Sequence, residues 1–156
     1  MSGNITLTDT LSINNKKLSI DLTGHTITAA TNQRAFNISN GGTLEIKDRV
    51  GNGIIQGNGT VTDRGGAIYM EGSGSALTIS GGTIQGFTVS AHGGGVYMRD
   101  GIFNMTGGAI ENCTASTSGG GVYMNDGTFN MTGGAIENCT APEGAGVEMY
   151  PDSENT

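Results

Sequence analysis

From residue 35 onward the chain alternates apolar and polar side chains in short runs, each closed by Gly, Asp or Asn. GVYM, FNM and AIEN are such runs, and alternation at period 2 predicts half-buried β-strands. The runs recur as larger units. Residues 93–118 read GGGVYMRDGIFNMTGGAIENCTASTS and residues 119–144 read GGGVYMNDGTFNMTGGAIENCTAPEG, a repeat of 26 residues. Residues 65–92 are the same unit with two extra residues in the first turn, and residues 35–64 a more degenerate copy built on AFNIS, TLEIKD and GIIQG.

Strands this short cannot hold as isolated hairpins. Three turns per unit bring the chain back close to its start, so each strand can pair in parallel with its equivalent in the next unit, about 4.8 Å away. The expectation is an all-β, right-handed, single-stranded parallel β-helix: a solenoid of about five coils with three short strands each. Residues 1–34 read as an N-terminal capping coil, since an end coil leaves an unpaired edge. The coils follow at 35–64, 65–92, 93–118 and 119–144; residues 145–156 read as the start of a further coil and a polar tail, as in an N-terminal piece of a longer solenoid.

Inward ladders can be written from the alignment. Ile68, Val96, Val122 and Val147 with Met70, Met98, Met124 and Met149 line one face. Leu44, Leu77, Phe103 and Phe129 with Ile46, Ile79, Met105 and Met131 line the second, and Ile54 or Ile55, Ile84, Ile110 and Ile136 the third. Every ladder is apolar, which supplies the core that a glycine-rich chain otherwise lacks.

Composition narrows the function classes. The 29 glycines among 156 residues argue against a helical bundle, since an interior glycine costs a helix roughly 0.8 to 1 kcal/mol relative to alanine. A net charge of −7 with no basic stripe opposes nucleic-acid binding, and the absence of a long apolar run opposes membrane insertion.

The repeats GGGVYM, FNMTGGAIENCTAS and GGAIYM resemble those of bacterial surface proteins with right-handed parallel β-helix repeats, the adhesin-like and autotransporter-passenger group. The opening KLSIDLTGHTIT resembles the first coil of pectin-lyase-like helices. There is partial likeness to chlamydial polymorphic outer-membrane proteins, whose repeats combine GGA[ILV] with FxxN. GGAI stands at 65–68, 107–110 and 133–136, while Phe103 and Phe129 are followed three residues on by Thr106 and Thr132. The resemblance implies an extracellular, cell-surface location and a role in adhesion, scaffolding or polysaccharide cleavage.

Candidate chemistry is sparse. Tyr69, Tyr97 and Tyr123 fall between inward residues, so alternation points them outward in one column, where exposed rings suit a glycan or a host surface protein, or form a self-stacked ladder that holds register. Glu111 and Glu137 share another column, but Gln56 and Gln85 precede them there, and a duplicated pair reads as structural rather than catalytic. Asp100 and Asp126 precede glycine and read as turn residues. Cys113 and Cys139 stack one period apart, with Phe87 in the equivalent place below, and are expected as reduced thiols. His25 and His92 lie in different coils without a paired ligand, so neither a metal nor another cofactor is expected.

The expected function is a non-catalytic, carbohydrate- or protein-binding segment of a bacterial cell-surface adhesin, with end-to-end self-association as a second kind of partnership. A polysaccharide lyase or glycoside hydrolase of the pectin-lyase-like type is the runner-up, weakened because no basic residue is grouped with several aspartates in one coil. A purely structural stalk fits almost as well.

Overall fold

The computed structural model describes residues 3–150 and contains only strands, turns and bends there. In chain order the strands are β1 (Ile5–Thr6), β2 (Leu11–Asn14), β3 (Lys17–Asp21), β4 (Thr26–Thr28), β5 (Phe36–Ser39) and β6 (Thr43–Lys47). They continue as β7 (Ile54–Gln56), β8 (Thr60–Val61), β9 (Ile68–Met70), β10 (Ala76–Ile79), β11 (Thr83–Gln85) and β12 (Thr88–Val89). The last six are β13 (Val96–Met98), β14 (Ile102–Glu111), β15 (Thr114–Ala115), β16 (Val122–Met124), β17 (Thr128–Glu137) and β18 (Val147–Met149).

Every pairing is parallel and joins equivalent strands of successive turns, so the chain forms the expected right-handed β-solenoid, with about six turns. One face is the six-rung sheet β2-β5-β9-β13-β16-β18, in which Val96 lies on Val122 and Ile68 as the repeat alignment requires. The N-terminal residues join the same ladders: Leu11 pairs with Phe36, and Leu18 with Leu44. The other two expected faces are continuous in the upper coils, where β14 and β17 each run for 10 residues through both, with register shifts around Thr106.

The third ladder is resolved in favour of Ile55, which is buried and in register with Ile84; Ile54 pairs with Thr83. A short sheet that the strand pattern did not predict, β8-β12-β15, occupies the long turn of each coil and packs Val61, Val89 and Ala115 into a small second cluster. Two-residue segments carry too little alternation to be read as strands.

The main core is a single column of stacked Ile, Leu, Val, Met and Phe through the coil axis. Corners are set by left-handed residues. Asn112 and Asn138, both at φ 52°, repeat the corner that Gly86 makes at φ 67°, and asparagine is the side chain that tolerates that region best. Asparagines also ladder between rungs: the Asn130 amide donates to Asn104 at 2.9 Å and that of Asn40 to Asn14 at 3.0 Å.

Candidate functional site

The tyrosine column is real. Tyr97 lies in register with Tyr69 below and Tyr123 above, the ring centroids are 5.3 and 5.4 Å apart, and the planes are within 10° of parallel. The side chains leave the coil axis, as alternation requires, but the expectation that they are exposed is corrected: Tyr97 is 4% and Tyr123 7% accessible, with Tyr69 half-buried.

What covers them is a parallel column of two guanidiniums and an imidazole. The Arg34 guanidinium sits 5.0 Å above the Tyr69 ring, that of Arg64 lies 5.5 Å from Tyr97, and the His92 imidazole lies 4.7 Å from Tyr123, tilted by 38°. Each of these residues closes a coil just before the first strand of the next, and each reaches over the ring one rung above that strand. A guanidinium over a phenol face is attractive at roughly 0.5 to 2 kcal/mol, so this lid favours a closed, stacked column over a free sugar-binding platform. Burial, and next the Glu71 carboxylate, raise the Tyr69 hydroxyl above its ordinary pKa; burial and then Tyr97 raise that of Tyr123. Both phenols therefore stay neutral and can donate. Tyr69 does so, to Glu71 at 3.3 Å, and Glu71 also receives Arg99 at 3.4 Å.

Beside the column, where each rung of the first face turns into the second, an open polar groove of about 540 Å³ crosses the coils. Asn40, Glu71, Arg99, Asp100, Asn125 and Asp126 line it. Asp100 and Asp126 each accept the amide of the following glycine at 2.6 Å, as expected of turn residues, and each still has a second carboxylate oxygen. Strand alternation gives no sign of this groove, because turn side chains converge only when coils stack. The recurring RDG and NDG at residues 99–101 and 125–127 are its one legible trace.

The remaining candidates are placed as follows. Glu111 and Glu137 are in register, above Gln85 and Gln56, whose amides hydrogen bond at 2.8 Å. Cys113 and Cys139 are free thiols, and each donates to a main-chain carbonyl, of Glu111 at 3.3 Å and of Glu137 at 3.4 Å. The neighbouring Cys139 thiol and burial push Cys113 up, while the hydrogen bond from Cys113 brings Cys139 down, so Cys139 ionises first. Among the described residues no three His, Cys, Asp or Glu converge as a metal site.

His92 gives the lid a pH dependence. Burial, then the charge of Arg64, hold its pKa below the ordinary 6.5, with Glu143 opposing; its Nδ1 is buried without a hydrogen-bond partner. A histidine depressed in the folded state favours folding while neutral, so its contribution is complete above the unfolded value and is lost as pH falls below it. The melting temperature is expected to decline as the pH drops past 6.5, and His92→Gln to flatten that limb. A second decline belongs lower, below the ordinary 3.8 to 4.5 of Asp21, Glu45 and Asp48, whose pKa values folding lowers. A melting temperature unchanged down to about pH 5 would contradict the assignment to His92.

Comparison of the chain with family models, curated proteins and solved structures finds no match, and the fold itself is that of a parallel β-solenoid.

Proposed function

We propose that this chain is a non-catalytic segment of an extracellular, cell-surface adhesin of the β-helix type, and that its ligand-contacting face is the polar groove rather than the tyrosine rings. The observation that supports the reading is the groove itself. It places carboxylates, amides and one guanidinium of successive coils side by side along a rigid surface, a set that can both donate to and accept from sugar hydroxyls or a polar protein loop. Individual contacts of this kind are weak, and a solenoid that repeats them along its length gains by multivalency. In this scheme the tyrosine column is the floor that keeps Glu71 and Arg99 in place through the Tyr69 hydroxyl.

A structural stalk is the second reading, favoured by the covered rings. A glycan and mucin array separates the two. An adhesive groove gives hits that Arg99→Gln or the double change Asp100→Asn with Asp126→Asn abolishes, the asparagines keeping the turn acceptor while removing charge. No hits with the unaltered chain would leave the stalk. The polysaccharide-cleaving alternative rests on Glu111 and Glu137, and turnover of any member of a panel of uronate and neutral polysaccharides, lost in Glu111→Gln, would establish it instead.

A further inference from the structure

Cys113 and Cys139 belong neither to the groove nor to the tyrosine column. They hold the same place in successive coils, just past the corners that Asn112 and Asn138 make after the third face. Their register is fixed from both sides. Glu111 pairs with Glu137 before them and Thr114 with Thr140 after them, and the Thr140 amide donates to the Cys113 carbonyl at 2.8 Å. Both thiols are free, and the two sulfurs hydrogen bond with each other. Phe87 and Cys113 are buried in the core and Cys139 packs against it, so the pair stands on an apolar floor. On the open side Gly121 lies against the Cys139 sulfur, where a Cβ would come within 3.4 Å, so no side chain crowds it there.

The rung spacing decides what can join the two sulfurs. Neighbouring strands of a parallel ladder stand about 4.8 Å apart, and side chains in register keep close to that separation. A disulfide needs sulfurs about 2.05 Å apart and Cβ atoms about 3.5 to 4.5 Å apart, so it would have to draw the two coils together. A two-coordinate ion makes no such demand: bonds of about 2.3 Å to each of two thiolates leave the sulfurs about 4.6 Å apart. Zn(II) is poorly served, because it takes four ligands and, among the described residues, no third His, Cys, Asp or Glu converges on the pair. Two thiolates alone select a soft ion such as Cu(I).

We propose that Cys113 and Cys139 form an inter-coil site for one soft monovalent ion of the Cu(I) and Ag(I) kind, held between the two sulfurs. Binding exchanges protons for metal with no change of oxidation state. Two S–H bonds break, two metal–sulfur bonds form, and two protons leave to water, so binding tightens as pH rises. Cys139 is the first donor, since the hydrogen bond from Cys113 favours its thiolate, and Cys113 is the second. The protons given up are those now shared with the carbonyls of Glu111 at 3.3 Å and Glu137 at 3.4 Å. The bound ion ties one coil to the next at the corner where their main-chain ladder is interrupted between Glu137 and Thr140. This site is independent of the proposed adhesive role of the groove.

Ag(I) is the probe, because it shares the charge and two-coordinate habit of Cu(I) without its redox chemistry. Cys113 is fully buried, so uptake is followed to its end point. Native mass spectrometry of the reduced chain with equimolar Ag(I) is expected to show a monomer carrying one ion in place of two protons. Both thiols are expected to vanish from a thiol-reactive assay, and the melting temperature to rise, since the ion binds only the folded pair. Cys113→Ala and Cys139→Ala are each expected to lose the bound ion and the rise in melting temperature while keeping a β-rich circular dichroism spectrum; Cys113→Ser and Cys139→Ser replace them should either fail to fold. The doubly substituted chain reports on the stacked methionines, such as Met105 on Met131, and is expected to hold no ion at this ratio. A chain that takes up no Ag(I), a singly substituted chain that keeps it, an ion that joins two chains, an equal rise in melting temperature with Zn(II), or loss of two hydrogens in place of ion uptake would each overturn the proposal.

Discussion

Gly94→Ala is expected to be among the most damaging single changes in this protein, costing about 3 kcal/mol or more and reducing the yield of folded chain. The reason is space rather than backbone freedom. A methyl group at Gly94 would overlap the carbonyl oxygen of Gly120 in the next coil and lie 2.9 Å from the main chain of Thr114. Neither obstacle is a flexible side chain that could swing aside. The column repeats the problem: a Cβ at Gly66 would overlap the Gly94 oxygen, and one at Gly120 that of Ala145. Relief would require the coils to separate locally, at the expense of the main-chain bonds that join them, including the Gly94 amide to the Gly119 carbonyl at 3.0 Å. For a domain whose net stability is ordinarily about 5 to 15 kcal/mol, such a loss is a large fraction. Gly146 is the control, since a Cβ there meets nothing within 4 Å and alanine should change stability by no more than about 0.5 kcal/mol. Guanidinium denaturation of the two variants checks this; equal midpoints would refute the argument from crowding.

Phe103→Ala is expected to cost about 3 to 5 kcal/mol, the range for emptying an aromatic site in a close-packed core. Phe103 is fully buried, lies in register with Leu77, and stacks on Phe129 with centroids 4.7 Å apart. Coils on both sides are held at the rung spacing by their ladders, so the space cannot collapse. The equivalent Phe129→Ala should cost clearly less, because Phe129 is only half-buried in the last full coil and water already reaches its surroundings. In a solenoid, where stability is close to a sum of neighbour terms, the ranking also predicts where unfolding starts. Hydrogen exchange should show the Phe103 variant losing protection in β10, β14 and β17 together, and the Phe129 variant losing it mainly in β17. Equal losses in the two would mean that position along the rod does not govern the energetics.

The Phe103 effect follows from a core that is largely legible in the order of residues alone. Val96 and Val122, Met98 and Met124, Phe103 and Phe129 can be paired by counting 26 residues, because period-2 alternation says which side faces inward and the repeat says what lies above what. The choice between Ile54 and Ile55 cannot be made so simply, since both are isoleucine and either could begin the alternation; pairing of Ile55 with Ile84 decides it. The two-residue strands around Val61 and Val89 are silent for a related reason: a segment that short has no period.

The candidate site shows the boundary more sharply. That Tyr69, Tyr97 and Tyr123 form a column follows from counting, but whether a ring is available depends on what folds over it. Arg34, Arg64 and His92 approach from the chain segment before each first strand and cross to the rung above. The groove through Glu71, Arg99, Asp100 and Asp126 likewise exists only where turns of different coils come together.

By itself, then, the order of residues determined the strands, the ladders and the solenoid, because these rest on burial at short, regular spacing along the chain. The tertiary structure decided the covered tyrosines, the open groove and the glycines that tolerate no methyl group. Those depend on distances between neighbouring coils and on the shape of the turns, and no periodicity in a linear sequence encodes either one.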